Sequence, residues 1–306
     1  MGSPPFATPI LERLLQSQDH QVLGLVTPPD RPRGRGREVV RSELALLADQ
    51  SGLPVLQPKS TKDQDFVDAL AALGADALAI ASYGEILRTN ILEMCPHGAL
   101  NVHGSLLPRW RGASPIQRAI AAGDAETGVS IQRMVLALDA GDVILEKRTA
   151  IGPDETAADL FDRLSILGAD ALIETLDQLD AGTATFTPQD PDGVTLAPKL
   201  KKEDGRIDFT RPADEVARHV RAMTTWPGAR TSLPDGRDLV VLQAVPVTST
   251  KPGASPGELL DTAELVVATG EGTAVHLVTV KPAGKGAMDG AAFLRGAKLE
   301  LGCHLG

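Results

Sequence analysis

Asn101 and His103 stand two residues apart in Leu100-Asn101-Val102-His103-Gly104-Ser105. An extended strand turns such a pair to one side, so an amide donor and an imidazole can converge on one small atom. The strand pattern breaks at Gly104-Ser105, runs to Pro108 and passes into a helix near Pro115. Further on, Leu138-Asp139-Ala140-Gly141-Asp142 is a turn directly after another strand, and it brings a carboxylate to the same edge if the two strands are neighbours. Amide, imidazole and carboxylate together suit acyl transfer to an amine. A preorganised donor aimed at the developing oxyanion is worth about 3 kcal/mol, and a positioned base contributes about 100- to 10,000-fold. An amine attacks unaided once deprotonated, so no serine or cysteine nucleophile is needed. Taken singly, His103 is an ordinary hydrogen-bonded histidine and Asp139 an ordinary turn residue. The complete set carries the chemistry.

The elements that must position these groups follow from hydrophobic periodicity. Strands are expected at 21–27, 54–57, 75–82, 100–103, 128–135 and 143–148, with helical patterns between them at 63–73 and 157–179. That alternation predicts an α/β domain with an open, doubly wound, Rossmann-like parallel sheet, which binds ligands at the carboxyl ends of its strands. The opening departs from this pattern. Gly2-Ser3-Pro4 reads as the turn after a strand, and Phe6, Ile10, Leu11, Leu14 and Leu15 already follow helical spacing, so an inner strand is expected ahead of Met1. Residues 181–198 are rich in Gly, Pro and Thr, the composition of a linker. Beyond them a short helix at 213–223 precedes β-type segments near 231–233, 238–245, 264–268 and 274–280, which suggests a small, mostly antiparallel barrel. The expected division is a catalytic domain over 1–183, a linker over 184–203 and a second domain over 204–306.

Composition bounds the rest. Hydrophobic residues make up 42% and charged residues 23% of 306, ordinary for globular domains. No window approaches the roughly 18 to 20 unbroken apolar residues of a membrane span, and the opening has no secretory pattern; a cytoplasmic protein is expected. Two distant cysteines, Cys95 and Cys303, support neither a disulfide framework nor a zinc site, and no metal is expected. A net charge of −10 argues against a surface that grips nucleic acid everywhere. Local basic patches survive nonetheless: residues 31–41 carry five arginines against one glutamate, and Lys199, Lys201 and Lys202 form a second group.

Asn101-Val102-His103-Gly104-Ser105-Leu106-Leu107-Pro108-Arg109-Trp110-Arg111-Gly112, the downstream Leu138–Asp142 turn, and Pro29-Asp30-Arg31-Pro32 with Gly34-Arg35-Gly36 closely resemble the methionyl-tRNA formyltransferase family. The resemblance extends to Ala197-Pro198-Lys199-Leu200, Arg206-Ile207-Asp208 and Lys281-Pro282-Ala283-Gly284-Lys285, covering nearly the whole chain. It implies a Rossmann-like domain joined to an OB-like barrel that contacts tRNA, with catalytic roles for Asn101, His103 and Asp139. It implies a folate site at Ser105, Leu106, Leu107 and Pro108. A loop at Arg31, Arg33, Arg35 and Arg37 would touch the acceptor stem, with Lys199 near the bound acceptor end. The co-substrates implied are 10-formyltetrahydrofolate as formyl donor and initiator methionyl-tRNA as acceptor, and a monomer is expected. Two other readings stand beside this one. A formyltransferase for a small amine would keep Asn101, His103 and Asp139 without needing 204–306 or the arginine loop. A catalytically silent tRNA-binding module would keep only the fold.

Overall fold

The computed structural model describes residues 1–33, 38–247 and 251–306, with the backbone alone at 31–33 and 38. The described chain forms two compact units, one of residues 1–115, 126–150 and 161–197, the other of residues 116–125, 151–160 and 198–306. In chain order the elements are α1 (Ala7–Leu15), β1 (Leu25–Val26), β2 (Arg31–Arg33), β3 (Glu38–Val40), α2 (Glu43–Gln50), β4 (Val55–Leu56), α3 (Gln64–Ala71), β5 (Leu78–Ile80), α4 (Thr89–Leu92), β6 (Ala99–His103), α5 (Pro115–Ala122), β7 (Glu126–Arg133), β8 (Val143–Ala150) and α6 (Ala157–Asp180). There follow α7 (Ala213–Ala222), β9 (Ala229–Ser232), β10 (Asp238–Val247), β11 (Leu259–Asp261), β12 (Val266–Ala268), β13 (Ala274–Pro282), β14 (Met288–Asp289) and α8 (Gly290–Ala297).

In the first unit β5, β6, β7 and β8 form one sheet in that order, and β1 and β4 form a separate parallel pair. The β5–β6 pairing is parallel, but β6–β7 and β7–β8 are antiparallel. The expected all-parallel sheet is therefore corrected to a mixed one. Residues 134–142 join β7 to β8 without a helix, too short a path for a parallel crossover. The sequence could not reveal this, because six consecutive residues of β7, Thr127–Gln132, are buried. A strand covered on both faces shows the same burial whichever way it points. The apolar core around β5 gathers Phe66, Leu70, Leu78, Ile80, Ile91 and Leu92, and α6 contributes the fully buried Leu164 and Leu172. β2 and β3 make a small antiparallel hairpin pairing Arg31 with Val40 and Arg33 with Glu38.

The described residues of the second unit hold six strands in the order β11-β12-β13-β10-β9, with β14 added on β13, and all these pairings are antiparallel. α7 packs against β10 through an apolar face that includes Val216 and Val220. Leu239, Leu259, Leu265, Val267 and Leu277 fill the interior without exposure. Among the described residues no helix is long and apolar enough to cross a membrane.

One glycine shows how tightly the mixed sheet is built. A Cβ on Gly128 would lie 2.1 Å from the carbonyl oxygen of Lys147 on β8 and 2.7 Å from Leu106 Cδ2. The backbone of a neighbouring strand cannot give way as a side chain can. Gly128→Ala is expected to cost about 1 to 3 kcal/mol, the range for forcing a methyl into a packed interior; a urea-unfolding midpoint equal to the parent's would refute the claimed closeness of β7 and β8.

Candidate active site

Register places the polar groups on one face of the sheet. Asn101 pairs directly with Gln132 and His103 with Ser130. Directly opposed residues share a face, as do residues two apart on one strand. Asn101, His103, Ser130 and Gln132 thus project together, with His103, Ser130 and Gln132 buried and Asn101 half-buried.

The His103 ring is fixed from one side. Its Nε2 lies 3.0 Å from the carbonyl oxygen of Trp110. A carbonyl only accepts, so Nε2 carries a proton and the neutral ring has its lone pair on Nδ1. Nδ1 faces Asp139 Oδ2 at 3.8 Å, beyond hydrogen-bond distance.

Asp139 is itself held in place. Its Oδ2 accepts from the backbone N–H of Gly112 at 2.9 Å and its Oδ1 from Gln132 Nε2 at 2.9 Å. Its φ of 45° falls in the left-handed region, which aspartate tolerates better than most residues. Gln189 Nε2 reaches back to the carbonyl oxygens of Asp139 and Gly141 at 2.9 and 2.7 Å, and its Oε1 accepts from Arg111. Gly112 has a φ of +123°, and a Cβ there would sit 2.6 Å from the carbonyl oxygen of Ala197. Only glycine lets this N–H approach the carboxylate. The structure thus brings His103 and Asp139 together as a pair and sets Asn101 on the same face. Sequence reading missed Gln132, Gln189 and Gly112. Gln132 becomes visible once β7 is paired to β6, and Gln189 falls in a stretch whose composition reads as linker.

The residues expected at a folate site build the loop after β6. Ser105 Oγ donates to the Arg109 carbonyl at 2.6 Å. Ser130 Oγ donates to the Ser105 carbonyl and accepts from the Leu107 N–H. Ser105 and Leu107 are buried, whereas Leu106 and Pro108 are half-buried. Arg109 lies over the Trp110 ring at 4.3 Å. Of the basic residues expected to meet tRNA, Arg31 and Arg33 lie on the β2 backbone, Arg35 and Arg37 fall outside the described residues, and Lys199 is exposed on the second unit. Among the described residues no three His, Cys, Asp or Glu side chains gather as metal ligands.

The carboxylate geometry yields a test independent of catalysis. Asp139→Ala takes the acceptor away from both the Gly112 N–H and the Gln132 amide, and is expected to lose about 1 to 3 kcal/mol, the cost of an enclosed polar group left without a partner. Chemical denaturation reads this directly, and unchanged stability would show that the carboxylate is not the anchor of this loop.

Comparison with known proteins places this arrangement in a family. Residues 1–176 match the family described as formyl transferase, and residues 199–298 match the formyl transferase C-terminal domain. A methionyl-tRNA formyltransferase of Symbiobacterium thermophilum is 44% identical over 305 residues, covering 99% of this chain and 93% of that protein. One of Anaeromyxobacter dehalogenans is 45% identical over 308 residues, covering 99% and 98%. Among solved structures, an N-formyltransferase of Helicobacter canadensis, in complex with folinic acid and dTDP-3-aminofucose, superposes with a TM-score of 0.66 at 15% identity, covering 90% of this chain and 96% of that one. HypX of Aquifex aeolicus, in complex with tetrahydrofolic acid, gives a TM-score of 0.60 at 20% identity over 89% of this chain and 46% of that one. The structural likenesses speak to fold, and the sequence matches run through both units: the chain belongs to the formyl transferase family.

Proposed function

We propose that this protein transfers a formyl group from 10-formyltetrahydrofolate to the α-amino group of methionine on initiator tRNA, giving N-formylmethionyl-tRNA for translation initiation. The observation that carries the reading is the pairing of buried His103 with half-buried Asp139, with Asn101 on the same face of β6, within a chain whose near full-length relatives are named for this reaction. The residues present fit a formyl donor. Asn101 offers an amide N–H, and Gln132, paired with it across β6 and β7, holds in Oε1 a buried acceptor without a partner in the structure. The donor supplies an activated formyl carbon, and the protein supplies the surroundings.

In this mechanism the neutral amine adds to the formyl carbon, and negative charge grows on the formyl oxygen. The free α-amino group titrates near 7.7 to 8.0, so a strong base is unnecessary. Asn101 donates to the oxygen as charge develops. His103 takes up the proton that the amine releases, at Nδ1, the nitrogen its bond to Trp110 leaves open. Asp139 stabilises the resulting imidazolium and keeps the ring oriented. The nitrogen of the donor leaves and takes a proton, so the net proton transfer is from one nitrogen to the other. The Ser105–Pro108 loop forms the wall against which the folate lies, with Leu106 and Pro108 as the accessible side chains.

The second unit is read as an OB-like barrel that contacts tRNA, the segment 184–203 as the linker between domains spanning 1–183 and 204–306, and the working form as a cytoplasmic monomer. Arg31, Arg33, Arg35, Arg37 and Lys199 would neutralise phosphates, at the acceptor stem for the loop and near the acceptor end for the lysine. A small-amine formyltransferase would have no use for these residues.

Formylation of charged initiator tRNA with and without the folate donor tests the reading. His103→Ala and Asp139→Ala are expected to lower kcat by at least about 100-fold, the lower end of a positioned acid–base contribution, with tRNA binding near normal; wild-type turnover in either variant refutes the assignment. Arg35→Ala is expected to leave turnover at saturating tRNA unchanged, raise KM for tRNA and reduce the slope of log K against log salt by about 0.7 to 0.9 per lost phosphate contact. A KM independent of Arg35 at every salt concentration would remove the loop from the tRNA interface.

A further inference from the structure

Residues 31–41 carry five arginines, and the tRNA contact proposed above uses four of them. Arg41, the fifth, directly follows β3, and its guanidinium is bound to the protein itself. Nε donates to Asp49 Oδ2 at 2.5 Å and Nη2 to Asp49 Oδ1 at 2.7 Å, a forked contact with one carboxylate. Nη1 donates to Asp30 Oδ2 at 3.3 Å and to Gln57 Oε1 at 3.1 Å. These bonds take up four of the five N–H donors that a guanidinium has.

The partners fasten both ends of the β2–β3 hairpin. Asp30 immediately precedes β2, and its Oδ1 accepts from the Ser42 N–H at 3.1 Å, so one carboxylate spans the hairpin's entry and exit. Gln57, just past β4, donates from Nε2 to the Pro28 carbonyl at 3.1 Å and thereby ties the chain after β4 to the chain after β1. Asp49 lies on α2, whose Leu44, Ala45 and Ala48 are fully buried. Ser42 caps that helix, its Oγ accepting from the Ala45 N–H. The fork thus joins the hairpin to an element that cannot move without disturbing the core.

Such an anchor is needed. β2 and β3 pair only with each other, and a lone two-stranded hairpin has little stability of its own in water. An isolated exposed ion pair contributes little, but forked geometry and a shared network are the exceptions, and Arg41 has both. The Asp49 carboxyl is held below the usual carboxylate range, chiefly by its hydrogen bond from Arg41.

We propose that Arg41 is a positioning residue: through Asp49, Asp30 and Gln57 it sets the direction of the β2–β3 hairpin, so that the hairpin's arginines are already placed when tRNA phosphates arrive. The inference rests on the reading of this hairpin as a tRNA contact. A hairpin that is correctly placed for only a fraction of the time binds with an affinity reduced by that fraction, while the chemistry after binding proceeds as before.

Two variants of the whole chain separate positioning from a direct phosphate contact by Arg41. Arg41→Lys keeps the charge but cannot form the fork. Asp49→Ala removes a negative charge beside the hairpin and leaves Arg41 in place. A direct contact would give no loss in the first and tighter tRNA binding in the second. Positioning is expected to raise KM for tRNA about threefold or more in both, with kcat unchanged and faster amide exchange across Arg31–Arg33 and Glu38–Val40. The slope of log K against log salt is expected to stay at the parent's value, since a lost phosphate contact would reduce it by about 0.7 to 0.9. A KM at or below the parent's in either variant, or a slope reduced by one contact, overturns the proposal. Arg35→Ala measured alongside tells two failures apart. If it alone raises KM, the positioning role falls and the tRNA contact stands; if none of the three raises KM, both fall.

Discussion

One carboxylate, half-buried and doubly engaged, organises the first unit's polar centre. Asp139 ties a backbone N–H of the loop after β6 to a side chain of β7, and its position fixes what His103 faces. Removing such an acceptor leaves two donors stranded away from water. That asymmetry, more than the modest net worth of each bond, makes the arrangement rigid. Around it, close backbone approaches at Gly112 and Gly128 and the Gln189 bridge to the turn leave the loop little freedom. The pair can therefore be preorganised without a metal or a covalent tether.

The order of the strands explains why these residues meet. β6 is flanked by a parallel partner and an antiparallel one, so its carboxyl end opens beside the amino end of β7 and not beside a second carboxyl end. The turn after β7 would then lie at the far edge, were it not that residues 134–142 double back along β6. Arg133 N–H bonds to the Asp142 carbonyl and Met134 N–H to the Ala99 carbonyl, and the turn is brought in under Gly112. A wholly parallel sheet would have needed a different route for the acid.

Much of this was legible in the chain. The i, i+2 spacing of Asn101 and His103 and the strand break at Gly104 are local properties, and a five-residue strand with a loop at its end forms there. Strand and helix positions were readable because apolar periodicity is dictated by burial, which persists in the fold. Strand direction was not, since Thr127–Gln132 are buried whichever way β7 runs. The roles of Gln132 and Gln189 were hidden for a related reason: a polar side chain announces a partner only when pairing supplies one across a large sequence separation. The β2–β3 hairpin, β11 and β14 were missed because strands of two or three residues contain too few positions to establish alternation.

The bond between His103 Nε2 and the Trp110 carbonyl limits what the imidazole can do with a proton. A ring that receives on one nitrogen and releases from the other serves as a relay, and this ring has only one nitrogen free for that traffic. A proton gained at Nδ1 must depart by the same door. The histidine is thereby a reservoir that fills and empties within a single catalytic cycle, and rotating it to make a shuttle would first require the Trp110 peptide to let go.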